Sequence, residues 1–181
     1  TVQYRFRAVY EGDVIFAGSQ SGDQDEPLMV LKYKSTTTTQ LSSSTITLGG
    51  SVTDTATVTG SGGGPGGGPT LTGQVTFEVS TDGGQNWMQV GSAPVNLSGG
   101  QATSALYTPQ TPCNQYLCRA NYSGDVSYWG SKSDDQAEPL IVLTPTITTT
   151  QLSASTINVG DSITDTATVS PVPEVLGNYP T

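Results

Sequence analysis

Hydrophobic and polar residues alternate in short runs along this chain, and no stretch sustains the 3.6-residue spacing of an amphipathic helix. Val75, Phe77 and Val79 take every second position of one run, and Tyr116, Cys118, Ala120 and Tyr122 those of another. A period of two sends these side chains to one face, as a half-buried antiparallel strand requires. Seven such segments are bounded by turn residues: Thr39–Leu48, Ser51–Thr59, Gly73–Ser80, Asn86–Gly91, Pro94–Leu97, Gln101–Tyr107 and Gln115–Tyr122. An eighth, Ala137–Leu143, follows. The pattern predicts an all-β protein of stacked antiparallel sheets.

The chain also repeats itself. Tyr4–Leu31 realigns on Tyr116–Leu143 at an offset of 112, with 17 of 28 positions identical. Gln40–Val58 realigns on Gln151–Val169 at an offset of 111, with 14 of 19 identical. A unit of roughly 110 residues therefore recurs, which is the mark of a tandem array. Residues 1–33 read as the C-terminal strands of one copy, 34–143 as a complete copy and 144–181 as the N-terminal strands of a third. The chain opens in mid-repeat, so a signal or anchor would lie outside this stretch. Each partial copy would expose an apolar face, with Tyr4, Phe6, Ala8 and Tyr10 on one and Ile163, Ala167 and Val169 on the other. Two-stranded pieces bury too little surface to hold alone, so both are expected to be completed by further chain or a neighbouring subunit.

Composition narrows the chemistry. With 22 Gly, 11 Pro and 12% charged residues, the chain suits short strands and many turns. There is no His, which removes His-based triads, imidazole metal ligands and histidine proton shuttles. A net charge of −9 repels phosphate backbones, so nucleic acid is not an expected partner. No run reaches the ~18 apolar residues of a membrane helix.

Seven or eight short strands in about 110 residues point to an immunoglobulin-like sandwich. The segments TTTTQLSSSTITLGGSVTDTATV, GQVTFEVSTDGGQNW and NYSGDVSYWGSKS resemble bacterial Ig-like repeats of the group 3 kind. The resemblance implies an antiparallel β-sandwich repeated in tandem within a large cell-surface or secreted protein. It leaves the role open among stalk, adhesin shaft, filament or sheath subunit and enzyme appendage. Asp54 and Asp165 depart from it, standing where such repeats usually carry an apolar residue. Cys113 and Cys118 also depart, since the preceding copy has Thr1 and Phe6 there.

Several residues are candidate sites. Ser80–Trp87 fits the pattern S-x-D-x-G-x-x-W, read here as a hairpin in which Asp82 accepts turn amides, Gly83 and Gly84 take positive φ and Trp87 folds over. Asp125, Asp134, Asp135 and Glu138 supply oxygen-only donors that suit Ca²⁺, so a calcium ion there is one expectation and solvated acidic loops the other. Asp54 shares parity with Val52, Ala56 and Val58 and should point inward, partnered by the Tyr116 hydroxyl or by loop amides. Cys113 and Cys118 would face opposite sides of one continuous strand. A turn through Pro112-Cys113-Asn114 would bring them into a disulfide, against a buried thiol at Cys118. Asn96-Leu97-Ser98 and Asn121-Tyr122-Ser123 are N-glycosylation acceptors whose asparagines point outward by parity. Gly60–Pro69 reads as a flexible loop. Trp129 stands at a hairpin tip where the earlier copy has Ala17, so an interface with a neighbouring domain, a sugar or the loop itself is expected there.

These readings give a non-catalytic structural repeat of an extracellular, cell-surface array: filament, sheath, surface layer or stalk. Its partners would be neighbouring repeats or identical subunits, with attached glycans. The alternatives are an adhesin module binding a carbohydrate or protein through its loops, and a spacer of a secreted enzyme.

Overall fold

The computed structural model describes residues 2–62 and 68–172. They contain no helix. Thr1, residues 63–67, within the Gly60–Pro69 stretch read as a flexible loop, and residues 173–181 lie outside the described residues.

The chain opens with four short strands, β1 (Val2–Phe6), β2 (Val9–Gly12), β3 (Ala17–Gln20) and β4 (Glu26–Val30), which pair β1 with β4 and β2 with β3. The sandwich follows: β5 (Lys34–Leu41), β6 (Thr45–Thr47), β7 (Asp54–Ser61), β8 (Gln74–Ser80), β9 (Met88–Gln89), β10 (Val95–Asn96), β11 (Gln101–Thr103), β12 (Cys113–Tyr122), β13 (Ser131–Lys132) and β14 (Glu138–Leu143). A last antiparallel pair is β15 (Thr146–Leu152) with β16 (Asp165–Pro171).

One sheet runs β10-β8-β12-β14-β6, with β9 beside β8 and β13 beside β12; the facing sheet runs β11-β7-β5. The predicted first strand, Thr39–Leu48, is really two. The Ser42-Ser43-Ser44 stretch breaks it, with Ser43 Oγ donating to the Thr45 carbonyl at 2.7 Å. Past this bend the chain leaves β7 and pairs β6 parallel to β14 on the opposite sheet. The two consecutive strands of this segment thus stitch both layers together.

The alternation read from the sequence is the one the core uses. Val75, Phe77 and Val79 from β8 meet Tyr116, Cys118, Ala120 and Tyr122 from β12, and Val52, Ala56 and Val58 close the layer from the other sheet. Burying each large apolar side chain stabilises the fold by ~1.5–3 kcal/mol. At the lower corner the buried Tyr116 hydroxyl donates to the Thr111 carbonyl at 3.1 Å. It is therefore not the partner of Asp54.

The two terminal ribbons reproduce registers of the central sandwich. Tyr4 faces Leu28 and Phe6 faces Glu26, as Tyr116 faces Leu140 and Cys118 faces Glu138. Leu152 faces Asp165 as Leu41 faces Asp54. In both ribbons the residues homologous to the core, among them Tyr4, Phe6, Leu28, Leu152 and Val169, are exposed. Asp165, which would be buried in a whole sandwich, is likewise exposed.

Candidate functional site

Three places concentrate polar side chains on this scaffold, and each can be built from its residues. The first is the turn after β8. Ser80, fully buried, donates its hydroxyl to Asp82 Oδ1 at 2.7 Å and accepts the Gly84 amide at 2.8 Å. Asp82 Oδ1 also accepts the Gln85 and Asn86 amides at 3.0 and 2.9 Å. The Asn86 amide and side chain, followed by Ser80, hold the Asp82 carboxyl down at about 2. Gly83 and Gly84 sit at φ 73° and 94°, which a side chain would strain. Trp87 Nε1 donates to the Gly84 carbonyl at 3.1 Å, and the Arg119 guanidinium stacks 3.9 Å from its ring. Arg119 also pairs with Glu78 at 2.6 Å and Asp135 at 3.2 Å. The Ser80 hydroxyl, the Asp82 carboxylate and the Trp87 indole N–H are all committed to the turn, as the hairpin reading expects.

The second place is the interior around Asp54. Parity is right: the residue is 5% exposed, and neither carboxyl oxygen has a hydrogen-bond partner. Its amide donates to Ser104 Oγ at 2.9 Å. Asp54 lines a small cavity of about 10 Å³ with Leu41, Val52, Tyr107 and Cys118, room for about one water molecule. Burial, reinforced by the nearby Glu138, raises the carboxyl from 3.8 to about 7. The amides of Gln40 and Thr55 act the other way without completing a hydrogen bond to it. The loop-amide partnership expected from sequence is thus not made. Glu138 accepts the Leu41 amide at 2.6 Å, and burial outweighs that bond to raise its own carboxyl.

The third place is the loop end beside β5. Asp125 takes the Thr72 amide and hydroxyl on one oxygen and the Ser127 and Tyr128 amides on the other, at 2.7–2.9 Å. Burial pushes this carboxyl up, but the four donors prevail and hold it at about 2. Trp129 is 49% exposed, and the Lys32 ammonium lies 5.5 Å from its ring centre. The Trp129 ring is thus met by a lysine from the segment between β4 and β5. The sequence offered Trp129 and not Lys32 as the interface residue, although the absence of a lysine from the later Thr-rich stretch was a visible signal.

The four acidic residues proposed for calcium do not converge. Asp125 caps the loop end, Asp134 accepts the Gln136 amide, Asp135 pairs with Lys132 and Arg119, and Glu138 holds the Leu41 amide. Among the described residues no group of three or more acidic or thiol side chains is placed to hold a metal ion. Closeness in sequence misled here, because each of these carboxylates is engaged by a different local partner.

The cysteines also correct their expectation. A register shift between Cys113 and Tyr116 inserts an irregularity into β12, so Cys113 packs against the same core cluster that contains Cys118. Both are free thiols, Cys118 buried and Cys113 partly so. Burial, with Asp54 and Glu138 adding negative charge, pushes the Cys118 thiol up to about 12.

Of the glycosylation acceptors, Asn96 is exposed on the end strand of its sheet, its Oδ1 accepting from Gln74. Asn121 is half-buried, and its Nδ2 donates to Glu78 at 2.7 Å. The first is open to a sugar; the second would have to leave the Glu78–Arg119 network.

The bacterial Ig-like domain (group 3) family matches residues 37–138, more than half of the chain. The chain belongs to that family. Searches of curated proteins and of solved structures gave no match. Bacterial Ig-like domains are typically non-catalytic structural or adhesion-type modules, often in surface or extracellular proteins. No helix among the described residues is long and apolar enough to cross a membrane.

Proposed function

We propose that this chain is a structural stretch of an extracellular array, in which successive Ig-like copies build a cell-surface filament, sheath, surface layer or stalk through contacts with neighbouring copies or identical subunits. The supporting observation is that two strand registers of the central sandwich each recur once more in the same chain, one before it and one after it. Near-identical units in series make a quasi-one-dimensional rod, each copy touching mainly its neighbours. The acidic surface and Thr-rich joints suit exposure to the medium, and Asn96 is the better placed of the two acceptors for a glycan.

An adhesin is the second reading, favoured by the loop end, where Val126 is 90% exposed beside Trp129. Electron microscopy of the native protein on its cell surface separates the two. Uniform filaments or a lattice with copies in regular contact support the array. Isolated rods that decorate a ligand-coated surface only through their tips overturn it in favour of the adhesin.

A further inference from the structure

The segment between β4 and β5 is held by side chains and backbone alike. The Tyr33 amide donates to the Ser127 carbonyl at 2.8 Å, and the Trp129 amide donates to the Tyr33 carbonyl at 2.9 Å. Lys32 Nζ donates to the Asp125 carbonyl and also lies over the Trp129 ring. The Tyr33 and Tyr128 rings meet at 5.7 Å. On its other side the Tyr33 ring rests on Gly62, where a Cβ would come within 2.5 Å of it. Ser35 Oγ closes the set on the Trp129 carbonyl at 2.6 Å.

We infer that Lys32 and Tyr33 form a strap that pins the joint between two consecutive copies to the 125–129 hairpin tip, fixing the direction in which the preceding copy leaves the sandwich. The inference rests on the tandem reading and adds the device that would stiffen the array. Since β4 ends at Val30, Leu31 alone lies between that strand and the strap. Trp129 is then a joint residue whose ring is partly engaged by this chain's own lysine.

The strap is specific to this joint. Counting back from the matched Gln40 and Gln151, Tyr33 aligns with Thr144 and Lys34 with Pro145, while Lys32 has no counterpart. The later joint has neither the ammonium nor the aromatic ring at those positions. The preceding copy carries Ala17 where the strap needs Trp129.

The test is amide hydrogen exchange and ¹⁵N relaxation on the 181-residue protein, comparing wild type with Tyr33→Thr and Gly62→Ala. In the wild type, the Tyr33 and Trp129 amides should exchange at least about tenfold more slowly than an open chain. Residues 31–34 should show order parameters near ~0.85, as a rigid backbone does. Both variants should erase that protection while the Val79 and Ala120 amides stay protected. Gly62→Ala strikes the ring from outside and serves if Tyr33→Thr perturbs β5. Free exchange at Tyr33 in the wild type overturns the strap, as does unchanged protection in both folded variants. The readout lies within this chain, so a protected strap in a protein that proves not to be an array refutes the array and leaves the strap standing.

Discussion

Replacing Asp54 by Asn should remove most of the pH dependence of this fold between pH 4 and pH 8. The Asp54 carboxyl titrates at about 7 in the sandwich against 3.8 in the unfolded chain. Between those values the folded state keeps a proton that the unfolded state has released, so stability falls as pH rises. The contribution is complete below about pH 4, drains away up to about pH 7 and is flat beyond. A gap of about three pH units at ~1.4 kcal/mol each amounts to up to ~4 kcal/mol, a large share of a small domain's stability. Glu138, also raised, works in the same direction. Asp82 and Asp125, both held at about 2, act oppositely but below this window. Urea unfolding followed by Trp fluorescence, with the m-value checked for constancy from pH 4.5 to 8.5, reads the effect. The wild-type midpoint should fall from pH 4.5 to about pH 7 and level off above it, the Asp54→Asn midpoint should fall much less, and Asp54→Val should exceed the wild type at pH 8. Parallel curves for wild type and Asp54→Asn would show that the buried carboxyl is not the cause.

Other consequences can be checked separately. A thiol reagent should modify Cys113 alone in the native protein and both cysteines after denaturation; equal rates, or no thiols at all, would contradict the packing of Cys118. Tyr116→Phe should cost ~1 kcal/mol through loss of the bond to the Thr111 carbonyl, and an unchanged midpoint would remove that corner from the account. Peptide masses from native material should show a glycan at Asn96 in preference to Asn121; a modified Asn121 beside a bare Asn96 would reverse the assignment.

What could be read in advance follows from how local each cause is. Parity alone placed Asp54 among Val52, Ala56 and Val58, because a period of two leaves no other face for it. The turn at Asp82 was equally legible, its donors and acceptors all lying within a few residues. The Tyr116 hydroxyl was misassigned because its partner depends on how the chain rounds the corner at Thr111. The irregularity in β12 was invisible as well, and it changes which way Cys113 faces. The bend at Ser42–Ser44 hid within a run that alternates on both sides, and the acidic residues were grouped by sequence, whereas each is held by a different partner in the fold. Lys32 and Trp129 lie almost a whole repeat apart, so only the fold brings them together.

The claim that binds these observations is that one Ig-like unit recurs along the molecule and carries load as a rod. Stretching the native protein end to end on a single-molecule force instrument tests it most directly. Independent copies should unfold one at a time in a sawtooth whose peaks are spaced by roughly 350–400 Å, about 110 residues at ~3.3–3.6 Å each. A single featureless extension, or peaks with no common spacing, would contradict the array.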